Sequence, residues 1–353
     1  VAGGTLFAGE GFHLLSIVNN VLVTTAVPDQ KTAWTKARMD VLQILRNAGY
    51  ATVQLPTRAS TREWLSLLST LKNSVDREGH ILIEYPFDQR KRVYVLYLFR
   101  LLKRVKLYGL IHDLDSIRFD DSPREREVAI LKLFDGLISH NPTMTRWLSE
   151  GGISAKVVDL NLFDYCTRAD RTWHESEMSS PLKVLSAGNL SWDKARYIYD
   201  PALAGLRNVE LSLYGAFFEP GRMPPSNIRY KGVFDPDMPL LDDSYHFGLV
   251  WDGTGVSSCE GRYGRYMRFN NPHKLSLYVS LGLPVIVWKE AAIAEFVLQQ
   301  DIGVTVADLR ELGDVAGRVS TPAYRSMAAN VLALSSKVKR GDFLNQALGQ
   351  LVH

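Results

Sequence analysis

The sequence predicts an α/β protein built as two doubly wound domains, each with a parallel sheet covered by helices on both faces. Three observations lead there. Short apolar runs alternate with amphipathic helical stretches along most of the chain. A polar, aperiodic stretch at 164–181, ending in Ser-Ser-Pro, interrupts the alternation near mid-chain. At 353 residues there is enough chain for two cores. The expected division is a first domain over 1–178, a second over 179–325, and terminal helices over 326–353 that cross back to the first.

Taken in order, Val1 to Gly11 lack the basic start of a secretory signal and read as an extension. Asn20–Ala26 reads as the first strand. Thr32–Gly49 follows with apolar residues at helical spacing and a terminal glycine. Strands are then expected at 51–55, 81–85, 107–112 and 136–140, with helices over 60–75, 91–106, 125–134 and 143–151. After the polar stretch come strands at 182–187, 209–214 and 247–251, with one helix over 192–205. Asn271 reads as an N-cap with Pro272 at the first helical position, and Gly282 ends that helix. Pro284 to Trp288 is an apolar run of the kind buried on both faces of a sheet. A helix over 291–300, a strand at 304–306 and two helices beyond Thr321 complete the pattern.

Composition narrows the function. A hydrophobic fraction of 46% with 22% charged residues is that of a globular protein, and no uncharged apolar run reaches 18 residues, so no membrane span is expected. A net charge of +3 gives no case for a nucleic-acid partner. Cys166 and Cys259 share no metal-like spacing with histidines and suggest no disulfide framework, which fits a reducing, cytoplasmic setting.

Several stretches could carry chemistry. The start of the 272–281 helix presents unpaired N–H groups and a partial positive charge, to which His273 and Lys274 add donors; a diphosphate suits it. An ordinary helix start with a solvated lysine is the plainer reading. Gly188 and Asn189 follow a strand, where a glycine lets a ligand approach the backbone, and Lys194 stands at the next helix start. Tyr230, before Gly232, offers a flat face to a nucleobase or covers the end of a sheet. Asp252–Gly264, with four glycines, is either a loop that folds over a ligand or a plain surface loop. It is neither a Walker loop nor a dinucleotide fingerprint. His112 and Asp113 lie at a strand end and could act as a general base or as a cap. The helix near 91–106 is basic and aromatic, suited to an anionic membrane surface or, equally, to an ordinary solvated face.

In their order these segments resemble the GT-B glycosyltransferases of the bacterial β-1,6-galactofuranosyltransferase type, with the related glucosyltransferases that extend GlcNAc on serine-rich adhesins. The resemblance rests on Phe247–Asp252, the Cys259 loop, Tyr266, Asn270–Lys274, Gly282–Trp288 and Ala291–Phe296. Thr32, Leu110–Asp113 and Ser139–Asn141 carry it more loosely in the first domain. It covers about residues 20 to 330. It implies two Rossmann-like domains facing a central cleft and transfer of a hexose from a UDP-sugar to a glycan or glycoconjugate acceptor. The Asn270, Asn271, Pro272, His273, Lys274 and Leu275 segment would take the diphosphate and Tyr230 the uridine, with Thr32 reaching the donor. Gly188, Asn189 and Lys194 would complete the donor site. Large retaining GT-B families often carry two glutamates separated by seven residues; here those positions fall on Phe269 and Leu277, which implies inversion. Asp113 is then the expected base, with His112 as alternative or partner. No cofactor and no bound metal are expected. A homodimer or tetramer, a membrane-face location and, as a third reading, a scaffold without turnover are further expectations by analogy.

Overall fold

A computed structural model of the chain describes residues 5–7, 20–25, 33–55, 60–75, 79–87, 90–119, 121–169, 172–224 and 227–352. The chain forms two compact units. The first comprises 1–30, 38–160 and 344–353; the second comprises 31–37 and 161–343.

The first unit runs β1 (Thr5–Phe7), β2 (Asn20–Thr25), α1 (Ala33–Asn47), β3 (Ala51–Leu55), α2 (Thr61–Ser74), β4 (His80–Tyr85), α3 (Arg90–Lys103), β5 (Lys106–Ile111), α4 (Asp115–Arg118), α5 (Arg124–Leu131), β6 (Gly136–Ser139), α6 (Pro142–Glu150) and β7 (Lys156–Asp159). Among the described residues its strands form one parallel sheet in the order β1-β3-β2-β4-β5-β6-β7. The chain winds leftward from β2 to β3, then rightward from β4 onward. The point of reversal lies between β2 and β4, where crossover connections diverge and leave a crevice at the carboxyl ends. β4 is buried at every position, as an apolar central strand should be, although it contains Glu84.

Two strands of this unit are not among those the sequence predicts. Thr5–Phe7, taken as part of an extension, pairs with β3 from Thr5↔Thr52 to Phe7↔Gln54. Lys156–Asp159 pairs with β6. Both are short edge strands, and three or four residues leave little room for the apolar run of a central strand.

The second unit runs β8 (Leu182–Ala187), α7 (Trp192–Ala195), α8 (Pro201–Ala204), β9 (Val209–Tyr214), β10 (Ile228–Tyr230), β11 (Phe247–Val250), α9 (Gly261–Tyr266), α10 (His273–Ser280), β12 (Val285–Trp288), α11 (Ala294–Gln299), β13 (Gly303–Val306), α12 (Leu312–Arg318) and α13 (Thr321–Arg340). Its parallel sheet has the order β10-β9-β8-β11-β12-β13, the doubly wound dinucleotide-fold order, reversing between β8 and β11. The single helix expected over 192–205 is broken into α7, a 3-10 turn (Arg196–Tyr199) and α8. Pro201 lacks the N–H that would continue the ladder, and Asp200 caps the new helix through Ala202 N.

The units divide at Leu160–Asn161, ahead of the polar stretch at 164–181. Tyr165, Ala169 and Trp173 of that stretch are buried in the second unit's core, and the Trp173 indole N–H donates to the Leu241 carbonyl. The last two helices part: α13 stays with the second unit, where Ser335 Oγ donates to the Ser280 carbonyl. α14 (Asp342–Val352) places Leu344 onward in the first unit, where a Cβ on Gly136 would lie 2.7 Å from Leu351 Cδ1.

One sequence signal, Asn-Pro, occurs at two helix starts with different results. At α6, Asn141 accepts from Thr143 N and Met144 N, both at 3.0 Å, with Pro142 at the first helical position. At α10 the expected Asn271 cap is absent. The Asn271 amide instead donates to the Asn161 carbonyl at 2.8 Å, Pro272 is extended (ψ 132), and the helix starts at His273.

Helix α10 is locked beneath the sheet by Tyr278. Its hydroxyl accepts from Ala187 N (2.7 Å) and donates to the Leu249 carbonyl (3.2 Å), joining the ends of β8 and β11. Gly248 makes room for the ring, since a Cβ there would lie 2.3 Å from it. Gly248→Ala is therefore expected to lower the unfolding free energy by about 1–3 kcal/mol, read from urea denaturation followed by tryptophan fluorescence.

Candidate functional site

At the reversal between β8 and β11 three loops converge. β8 ends in Gly188, β11 runs into Trp251 and Asp252, and α10 begins below them. Gly188 is in a positive-φ conformation (139°). Gly215, at the end of β9, approaches it so closely that a Cβ would fall 1.7 Å from the Gly188 carbonyl oxygen. Only glycine fits at 215. The Lys274 ammonium donates to the Trp251 carbonyl (2.8 Å) and to Asp252 Oδ1 (2.7 Å). Its third proton has no partner among the described residues, and its Cε lies 3.9 Å from a Cβ placed on Gly188. Burial alone would lower the Lys274 pKa, but the Asp252 carboxylate outweighs it and the net shift is upward. Lys274 is thus a fixed cation. Lys194 Nζ stands 3.6 Å from Asp252 Oδ2, so two lysines share one carboxylate and the crevice carries excess positive charge.

In the segment that carries Lys274, the Asn270 Oδ1 and Ser276 Oγ atoms are buried with no hydrogen-bond partner among the described residues. Unsatisfied buried acceptors are uncommon, and they suit a site that receives a ligand. Tyr230 donates to the Gly215 carbonyl at 3.0 Å and stacks on Phe218 with ring centroids 4.4 Å apart. Its ring remains substantially exposed. The glycine-rich loop is an ordered structure: Gly253 N donates to the Lys194 carbonyl (2.7 Å), Thr254 N to Glu260 O (3.1 Å), and Trp251 Nε1 to Gly255 O (3.0 Å).

Gly188, Lys194, Tyr230 and Lys274 therefore surround one crevice. The remaining expected donor residues serve other ends. Asn189 Oδ1 accepts from Ser191 N in a local turn (2.9 Å). Asn271 holds Asn161, as above. Pro272 gives its carbonyl to Leu275 N (3.0 Å), and the Leu275 side chain is core. His273 packs against the rings of Phe163 and Tyr165. Thr32 lies outside the described residues. Asp252, which anchors the cluster, was read only as the first residue of a loop; an acid directly after a buried strand was the available signal.

The first unit's reversal holds a second charged cluster. Glu84, fully buried in β4, accepts from His112 Nε2 at 2.8 Å and lies 3.6 Å from Arg38 Nη1. Arg38 Nη2 donates to the Pro86 carbonyl (3.0 Å). Burial raises the Glu84 pKa, but Arg38 and His112 together overcome it, so the carboxyl is held below its usual range and stays ionised. Asp113 turns elsewhere and pairs with Arg118 Nη1 at 2.6 Å. His112 and Asp113 are thus adjacent in sequence and engaged with different partners. Sequence reasoning missed Glu84 and Arg38, whose signals were a charge inside the apolar run Ile81–Tyr85 and another on the buried face of α1. Among the described residues, no group of three or more His, Cys, Asp or Glu could hold a metal ion.

Residues 20–162 match the family described as glucosyltransferase 3-like, N-terminal domain, and residues 184–351 match its C-terminal domain. The beta-1,6-galactofuranosyltransferase WbbI of Escherichia coli (strain K12) is 30% identical over 332 residues, covering 92% of this chain and 95% of that one. The chain belongs to the glucosyltransferase 3-like family of glycosyltransferases. A glucosyltransferase 3 of Streptococcus parasanguinis is 23% identical over 72% of this chain and 73% of its own. Sucrose-phosphate synthase of Thermosynechococcus elongatus superposes with a TM-score of 0.59 at 13% identity, covering 94% of this chain and 98% of that one. That likeness speaks for the fold alone, which is GT-B. The chain is accordingly a sugar-transferring enzyme.

Two buried histidines give the first unit a pH dependence. His140 Nε2 donates to the Ile111 carbonyl (3.0 Å), and burial, reinforced by nearby His112, pushes its pKa down to about 3. Burial pushes His80 down to about 4. Both are neutral in the folded chain and charge near 6.5 when unfolded, so their contribution is complete above that pH and is lost as pH falls toward 3–4. Thermal unfolding should show Tm falling as pH drops below about 6.5, with a shallower slope in His140→Gln.

Proposed function

We propose that the chain transfers a hexose, galactofuranose in the leading reading, from a UDP-sugar to a hydroxyl of a glycan or glycoconjugate with inversion at the anomeric carbon. The observation that carries the donor half is the excess positive charge of Lys194 and Lys274 around Asp252 at the β8/β11 reversal. Doubly wound sheets bind ligands at that point, and a departing diphosphate needs fixed positive groups there. The first N–H groups of α10 add to them. Tyr230, stacked on Phe218, offers the exposed ring on which a uracil would lie. In this reading the lysines and backbone amides neutralise the diphosphate, and no bound metal or cofactor is needed.

For the acceptor half, the charged cluster at the β2/β4 reversal favours His112 over Asp113 as base. With the Nε2 proton on Glu84, Nδ1 is the basic nitrogen. It would take the acceptor hydroxyl proton as that oxygen bonds to the anomeric carbon and the bond to UDP breaks. Ionised Glu84 would stabilise the resulting imidazolium. Asp113, engaged by Arg118, is the weaker candidate. The choice of galactofuranose follows the name of the 30% identical relative; glucose is the second reading, favoured by the family description and by the Streptococcus relative.

Calorimetric titration with UDP, ADP and GDP in EDTA tests the donor site. UDP should bind selectively and Lys274→Ala should weaken it at least tenfold, about 1.4 kcal/mol; absence of nucleotide binding would favour a scaffold. Release of UDP in the presence of UDP-galactofuranose or UDP-glucose then tests the base. His112→Ala should lower kcat by about 10²–10⁴, Glu84→Gln by less, and Asp113→Asn should leave turnover near normal. Loss of turnover in Asp113→Asn with near-normal His112→Ala would reverse the assignment.

A further inference from the structure

Helix α3 presents an unusual outer face. The positions of α3 that turn to solvent in its described part are Tyr94, Leu98, Leu101 and Leu102, with relative exposures of 45%, 59%, 51% and 85%. The opposite face, Val93, Leu96 and Phe99, is buried in the first unit's core. A surface helix normally sets polar residues against water, and a helix apolar all round normally has a partner on each side. Arg100 is occupied by Asp135, and Lys103 donates to the Lys72 carbonyl at the end of α2 (3.0 Å). That contact sets the carboxyl ends of α2 and α3 side by side.

Charge distribution indicates the partner. Residues 90–106 contain Arg90, Lys91, Arg92, Arg100, Lys103, Arg104 and Lys106 and no acidic residue. This stretch alone carries +7, whereas the chain totals +3, so the remainder is net −4. Arg104 and Lys106 are exposed at the end of α3. Exposed leucines bordered by concentrated positive charge match an anionic bilayer: the leucines enter the acyl boundary and the cations remain among the headgroups. Among the described residues no helix is long and apolar enough to cross a membrane, so the contact is one of lying on the surface.

We propose that the outer face of α3 docks the enzyme onto an anionic lipid surface. The proposal is independent of the donor and base assignments, since none of these residues belongs to either charged cluster. It is tested by co-sedimentation of the full chain with unilamellar vesicles of phosphatidylcholine, with and without phosphatidylglycerol, in low and high salt. Binding should require phosphatidylglycerol and weaken in high salt. Each Lys or Arg near such a surface contributes about fivefold, so Arg104→Gln with Lys106→Gln should weaken binding about 30-fold. Leu98→Gln with Leu102→Gln should weaken it by about 100-fold or more. UDP binding and Tm of both variants should match the parent chain, because the altered side chains are solvent-facing. No binding to phosphatidylglycerol vesicles, or equal binding by the variants, overturns the proposal. So does a loss of oligomeric state in the leucine variant by light scattering, which would assign this face to a second copy.

Discussion

The second unit depends on two side chains one helical turn apart. Lys274 and Tyr278 rise from α10 to the place where β8 and β11 send their connections in opposite directions. Diverging strands leave backbone groups that neither neighbour can satisfy, and a buried polar group without a partner costs about 1–3 kcal/mol. Tyr278 closes two of them, the Ala187 N–H and the Leu249 carbonyl, with one hydroxyl. Lys274 closes the Trp251 carbonyl and pairs with Asp252. Glycines at 188, 215 and 248 are the corollary, since the strand ends and α10 approach one another too closely for a Cβ at 215 or 248. The same contacts that hold the sheet ends together thus hold a cation in fixed position beside an approachable backbone.

Each unit places charge at its point of reversal, and the two clusters differ in their balance of charge. In the second unit two lysines share one carboxylate, which leaves positive charge to meet an anion. In the first, Glu84 is held ionised by Arg38 and His112 and in turn orients the imidazole. Desolvation opposes charge in both places. Lys274 stays charged because Asp252 is in contact with it, and Glu84 because the Arg38 guanidinium and the His112 N–H face it. Buried ionic groups of this kind are poor sources of stability, so their presence at both reversals speaks for chemistry.

The outer face of α3 follows a different rule from the rest of the surface. Its inner residues fill the first unit's core, while its outer residues are leucine and tyrosine and its end is basic. Seven cations in a stretch without an acid are visible in the sequence. That the leucines between them point outward is visible only once Val93, Leu96 and Phe99 are seen to claim the inner face.

Strand and helix alternation, the apolar run Val285–Trp288 and the Gly282 helix end were determined by the sequence, because local hydrophobic period and turn chemistry decide them. Short edge strands such as Thr5–Phe7 and Lys156–Asp159 were not, since pairing with a distant strand leaves little local signature. The Asn-Pro pairs make the boundary plain. Asn141 caps its helix, whereas Asn271, the expected cap, donates its amide to the Asn161 carbonyl, 110 positions distant. Likewise the separation of His112 from Asp113 was decided by Glu84 and Arg118. Which partner a polar side chain takes depends on what burial leaves within about 3 Å of it, and only the tertiary structure sets that.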